Sequence, residues 1–300
     1  MEIACMTRAF YSCRDRSETI SQKEAICHLS AAGFSHIDLH LCGMGQGEGV
    51  FCGEDWEYRA HSLREEAEKL GVVFVQSHAP FYPQKSISAK EADYNEYFKR
   101  MLHRSLRISE IVGVPNTVIH PLILPEAPLE DIAAHVRWNY AYYEEFLNGC
   151  DAAGICACFE NMGSGFGASA TQLKELINTG RAVHNVAACW DFGHAAIYYP
   201  RRYWSDLDQT WAIRQLKGYI RAVHVHDNWG KNDDHMLPFI GSIAWEEVLP
   251  ALRETGFTGD LVLEILLNRN MPYELLDDSL ALCASVSRKL IELYEGEKDR

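Results

Sequence analysis

The chain has 300 residues, 47% of them hydrophobic and 23% charged, with a formal net charge of −14. That profile fits an ordinary soluble globular protein, long enough for two domains or for one closed α/β barrel. The acidic balance argues against a protein whose main task is to grip nucleic acid or an anionic membrane, because its field repels phosphate, and the apolar runs fall far short of a membrane span. In chain order, short β-branched runs alternate with longer amphipathic segments. A strand is expected at "EIACM" (2–6), then a helix over "SETISQKEAICHLSAAG" (17–33) that opens near Ser17 and stops at Gly33. Next come a strand at "HIDLHL" (36–41) and a helix over "DWEYRAHSLREEAEKLG" (55–71), stopped by Gly71. The strands "VVFVQSH" (72–78), "NTVIHP" (116–121) and "ICACFEN" (155–161) precede helical patterns at 92–112, 129–153 and 171–179. The strands "VAACWDF" (186–192), "AVHVH" (222–226) and "DLVLEIL" (260–266) precede helical patterns at 206–217, 243–255 and 273–295.

These strands are apolar on both faces, as parallel strands under helices should be. Eight strand–helix repeats without a linker predict a single (β/α)8 TIM barrel over residues 1–300. An open doubly wound sheet would need a glycine-rich phosphate turn after its first strand, and "TRAFYSCRDRS" has no glycine there. None of the ten cysteines forms a C-x-x-C pair, and no signal peptide is evident. They read as small buried thiols of a cytoplasmic protein.

Barrel enzymes carry their chemistry at the C-terminal ends of the strands. Strand three ends in His78, strand four in His120, strand five in Glu160, and strand six in Asp191 with His194 following. Strand seven carries His224 and His226, and strand eight carries Glu264. The stretch "RAVHVHDNWGKNDDH" (221–235) adds Asp227, Asn228, Asp233, Asp234 and His235. Asp38 and His40 end strand two, where inward and outward orientations are both open. Cys156 and Cys158 share strand parity with Glu160, and Cys189 shares it with Asp191, which predicts small inward thiols beneath a ring of ionisable groups. Such a ring is costly without a partner, since converging carboxylates repel. A divalent cation resolves both problems, and a mixed nitrogen–oxygen donor set suits Zn²⁺ or Mn²⁺ better than Ca²⁺. A single strand-end histidine is usually a hydrogen-bonded structural residue, but six successive strands ending this way point to a metal site. The remaining histidines (28, 36, 61, 103, 135 and 184) are assigned no role.

In their order along the chain, "HAP", "HP", "FEN", "DFGHA", "HVHDN", "DDH" and "VLE" resemble the xylose isomerase-like TIM barrel superfamily. That group holds sugar isomerases, ketose 3-epimerases and abasic-site endonucleases of the endonuclease IV type. The resemblance implies a metal-dependent isomerase or epimerase of a small sugar, sugar phosphate or polyol. Glu160, Asp191, His224 and Glu264 would form the metal set, with Zn²⁺ or Mn²⁺ ahead of Mg²⁺ or Co²⁺. Glu160 and Glu264 would also move the proton of an enediolate, and His194, His226 and Lys231 would contact substrate. His78, His120, His194, Asp233 and His235 match the additional ligands of the endonuclease branch. They keep open a multi-metal zinc phosphodiesterase, alongside an inosose dehydratase-like lyase. Against the DNA enzymes, "FYPQKS" follows "HAP" and basic duplex-reading loops are not evident, so no nucleic-acid partner is expected. Trp56, Trp204, Trp229, Phe10 and Tyr11 are candidates for packing on a sugar face or for lids and subunit contacts in a homo-oligomer. Arg201 and Arg202 are candidates for a substrate phosphate.

Overall fold

Eight parallel strands close into a barrel in sequence order in the computed structural model. The strands are β1 (Ile3–Met6), β2 (His36–His40), β3 (Val73–His78), β4 (Asn116–Ile119), β5 (Cys156–Glu160), β6 (Val186–Asp191), β7 (Ile220–Val225) and β8 (Leu261–Leu263). The helices outside them are α1 (Gln22–Ala31), α2 (Trp56–Leu70), α3 (Ala92–Val112), α4 (Ile132–Ala153), α5 (Ala170–Gly180), α6 (Phe192–Tyr198), α7 (Gln209–Gln215), α8 (Trp245–Glu254) and α9 (Leu276–Glu295). The structure describes residues 1–10, 13, 15, 19–82, 92–199, 208–267 and 270–296. Tyr11, Ser17, Arg201, Arg202 and Trp204 lie outside the described residues, so their expected roles stay expectations.

Alternation along each strand separates two cores. Phe159, Trp190, Val223 and Val225 face outward into the layer beneath the helices. Val118, Cys156, Cys158, Ala187, Cys189 and Ala222 fill the barrel interior. The inward placement of the three thiols agrees with the parity argument. Small residues leave the barrel narrow below and free at its rim for larger polar groups.

The starts of α1, α4, α5, α6 and α7 carry a side-chain cap, whereas the acidic cap expected of Asp55 at α2 makes no bond to the helix amides, and two starts differ from the sequence pattern. The first helix begins at Gln22, where the Ser21 hydroxyl accepts from the Glu24 amide at 3.2 Å. It therefore starts five residues later than the sequence pattern suggests. Asp131, Ser169 and Asp208 cap α4, α5 and α7 in the same way, each worth about 1 kcal/mol. The second difference is α6, which the periodicity does not announce. It follows β6 directly, and the Asp191 carboxylate accepts from the His194 amide at 2.5 Å. One carboxylate thus ends a strand and caps the helix that carries His194.

Two register shifts set which side chains reach the interior. Ile37 lies beside Phe74, but the next pair is Asp38 beside Gln76, so Val75 is skipped. Ala188 lies beside Ile220, but Cys189 lies beside Ala222, so Arg221 is skipped. A bulge of one residue switches the face of everything downstream on the bulged strand. Gln76 and His78 join Asp38 and His40 on the inner side by this means, and His224 and His226 join Asp191.

Candidate metal centre

Glu160 is the hub of the rim. Its Oε1 lies 2.9 Å from His224 Nδ1 and 3.3 Å from His194 Nδ1. Its Oε2 lies 3.0 Å from His120 Nε2 and 3.2 Å from His78 Nε2. His224 Nδ1 also faces Glu264 Oε2 at 3.3 Å and Asp191 Oδ2 at 3.7 Å. One donor atom each from Glu160, Asp191, His224 and Glu264 lie within 4.8 Å of one another, and all four residues are buried. His78, Glu160 and His224 form an overlapping group of three, also within 4.8 Å of one another.

A further group, His226, Asp233 and His235, sits beside the first. His226 Nε2 lies 3.1 Å from Asp191 Oδ2, which joins the two. Asp233 Oδ2 lies 3.2 Å from His235 Nε2 and 3.3 Å from His194 Nε2, and Asp233 Oδ1 lies 3.6 Å from His226 Nε2. The metal and additional-metal residues read from the sequence therefore converge on one mouth. Asp38 and His40 turn inward there as well, settling the open orientation at strand two.

The donor set fits a cation on two grounds internal to the structure. First, His78, His194 and His235 donate Nδ1–H to the carbonyls of Ala79, Asn161 and Glu264 at 2.7–2.9 Å. A backbone carbonyl can only accept, so each neutral ring presents the lone pair of Nε2 to the carboxylates. Metal-ligating histidines are oriented by such bonds. Second, His224 Nε2, His226 Nδ1 and Asp38 Oδ1 are buried with no hydrogen-bond partner. Unsatisfied buried atoms of this kind call for a functional reason.

Without a cation, protons take its place. Burial opposes ionisation of Glu160, yet His224 and the hydrogen bonds from His120, His194 and His224 hold it well below the usual carboxylate range. Burial likewise opposes the charge on Asp191, and His194 and His226 override it downward. His224 is held well above an ordinary imidazole although burial works against it, because Cys189, Glu264 and Glu160 surround it. His194 rises for similar reasons, against burial, through Asp191, Asp233 and Glu160. His235, also against burial, is pushed up to about 9 by Asp233 and Glu264. His120 moves the other way because its burial outweighs Glu160.

Residues 28–284 match the family model described as xylose isomerase-like TIM barrel. The chain belongs to that family. Two curated relatives are both called uncharacterized proteins. One is y4fM of Sinorhizobium fredii, 22% identical over 203 residues, covering 67% of this chain and 62% of that protein. The other is MJ1311 of Methanocaldococcus jannaschii, 26% identical over 210 residues and covering 66% of each chain. The chain thus spans less than two thirds of the length of either relative. A D-tagatose 3-epimerase-like protein superposes with a TM-score of 0.71 at 19% identity, covering 98% of both chains. D-psicose 3-epimerase from Clostridium cellulolyticum H10 gives 0.70 at 14% identity, covering 97% of this chain and 99% of that one. The IOLI protein with a binding zinc atom gives 0.69 at 16% identity, covering 98% of both chains. At these identities the likeness concerns the fold.

At the barrel mouth, a cavity of about 540 Å³ is lined by the polar His120, His194, Asp233 and Lys231 together with the apolar Ile123 and Ile197. A second cavity of about 400 Å³ lies toward β1 and β2, against Arg8, Phe10, Gln22 and His40. His194 and Lys231, read as substrate contacts, therefore border open space. His226 is fully buried among the donors. Trp229 is 60% exposed, whereas Trp56 is partly buried beneath the Arg104 guanidinium, 5.4 Å from its ring centre. Sequence reasoning offered Asp227 as a donor, but its carboxylate turns away from the mouth. Oδ1 accepts from the amides of Asn228 and Ile243, and Oδ2 accepts from the Phe239 amide and the Trp245 indole, at 2.9–3.1 Å. Asn228 binds the Gly193 carbonyl, and Asp234 is exposed outside every donor group.

Proposed function

We propose that the protein is a divalent-metal-dependent isomerase or epimerase of a small sugar, sugar phosphate or polyol. The observation that carries this reading is the pairing of two buried carboxylates, Glu160 and Glu264, across one imidazole nitrogen at 2.9 and 3.3 Å. Glu160, Asp191, His224 and Glu264 would hold the ion, with Zn²⁺ or Mn²⁺ best suited to two nitrogen–oxygen chemistries in one set. Bound there, it supplies Lewis-acid polarisation of a carbonyl and its neighbouring hydroxyl. Glu264 would take a proton from carbon or return it, and Glu160 would do so through Oε2, the oxygen that His120 and His78 now hold. His194 and Lys231, on the wall of the larger cavity, orient substrate hydroxyls. Solved structures of the same fold named as a D-tagatose 3-epimerase-like protein, a D-psicose 3-epimerase and an L-ribulose 3-epimerase support the sugar class. The test is proton exchange in D₂O, with metal-loaded protein and a panel of ketoses, aldoses and inososes. Deuterium enters at least one of them, and chelator stops it. Absence of exchange across the panel would count against the reading.

A specific observation favours a second reading, a multi-metal phosphodiesterase. Glu160 turns its other oxygen to His78 and His120, and Asp233 gathers His194 and His235. These extra donors suffice for two or three ions and hence for hydrolysis of a phosphate ester. Cleavage of an abasic oligonucleotide by zinc-loaded protein would establish it.

A further inference from the structure

We propose that Asp38 is a positioning residue that orients His224 for ligation from behind the ring. The proposal rests on the metal-centre reading given above and adds a residue outside its donor set. His224 stands between two groups of carboxylates. On one side its Nδ1 faces Glu160, Glu264 and Asp191. On the other side its Nε2 faces Asp38 Oδ2 at 3.7 Å, with no hydrogen-bond partner. Asp38 is 1% exposed, its Oδ1 is unpartnered, and its Oδ2 accepts from Gln76 Nε2 at 3.1 Å.

Without a cation, Nδ1–H donates to Glu160. Nδ1 can serve as a ligand only with its lone pair bare, which puts the ring proton on Nε2, directed at Asp38. After a closure of several tenths of an ångström the orphaned Nε2 donates to Asp38 Oδ2, which Gln76 already holds in place. A carboxylate behind a ligating histidine fixes its tautomer and raises its basicity. The β2–β3 register shift supports the same role independently. By skipping Val75 it brings Gln76 beside Asp38, and Gln76 is the residue that holds Oδ2. Bulges of this kind re-aim side chains next to functional sites.

The experiment compares wild type with Asp38→Asn and Asp38→Leu. Zinc affinity is measured by competition against a chromophoric chelator, and stability of the metal-free proteins by urea denaturation. Both variants are expected to bind Zn²⁺ about 10- to 100-fold more weakly. Metal-free Asp38→Asn should be about as stable as wild type, because its amide oxygen still accepts from Gln76 and a buried charge has been removed. A residue with only a packing role would lower the stability of the metal-free protein and leave zinc affinity unchanged. Unchanged affinity in both variants overturns the proposal while leaving the centre intact. A wild type that takes up neither Zn²⁺ nor Mn²⁺ overturns the centre itself and the proposal with it.

Discussion

Glu160 meets four imidazoles and is the residue whose charge the site can least lose. Glu160→Gln keeps the shape but turns an amide N–H₂ toward rings that need an acceptor. Affinity for Zn²⁺ or Mn²⁺ should fall at least about 100-fold, measured by chelator competition, because a ligand rather than its support is removed. His235 carries a pH prediction. Its ring rises from an ordinary value near 6.5 to about 9, against burial and through Asp233 and Glu264. A raised folded value contributes stability that is complete below about 6.5 and is lost as pH climbs through about 9. Metal-free protein should therefore lose thermal stability between those pH values. A bound cation requires the neutral ring, so metal uptake near pH 7 should release protons and weaken as pH falls. Calorimetric titration in two buffers of different ionisation enthalpy reads that release directly. Equal apparent enthalpies in the two buffers would contradict it.

Strands and loops convert these residue preferences into a site, and they differ in how far the sequence discloses them. The eight strands are legible because each is a short apolar run between helical patterns, and their ends are legible because the runs stop at ionisable groups. The skipped residues Val75 and Arg221 are not legible, since a bulge depends on the register of the neighbouring strand. Yet His78 and His224 face inward only because of them. The seven-residue α6 also escapes, being too short to show a period of 3.6, although Asp191 as its cap and His194 three residues on were visible. Asp227 shows the limit most clearly. Residue type marked it as a donor, while the loop folds around it as an acceptor of four N–H groups. That loop carries Asp233 and His235, pairs Asp227 with Met236 through two backbone bonds, and needs Gly241, where a Cβ would meet Asp227 Oδ1 at 2.2 Å. Asp227→Asn should thus destabilise the fold by about 3 kcal/mol in chemical denaturation, because buried amides lose an acceptor. It should also weaken cation binding by the Asp233 group more than by the Glu160 group. Equal loss at both would make Asp227 a general core residue.

For the whole molecule, the decisive quantity is the number of ions, because the formal charge of −14 and the clustered carboxylates both favour cation uptake. A ligand that binds only the folded chain stabilises it by RT ln(1 + [L]/Kd), about 2.7 kcal/mol at a hundredfold excess over Kd. With an unfolding entropy of roughly 2 cal/mol/K per residue, that shifts Tm of a chain this long by about 4 °C. Stripping with chelator should lower Tm by at least that much, and restoring Zn²⁺ or Mn²⁺ should recover it. Elemental analysis of the restored protein then separates the chemistries. One ion per chain leaves the His78, His120 and Asp233 donors as substrate-facing groups and agrees with proton transfer on a sugar. Two or three ions commit those donors to ligation and favour attack on a phosphate ester, since a second cation can stabilise the leaving oxygen. A Tm that responds to neither chelator nor added metal would leave the barrel intact and remove the chemical reason for both readings.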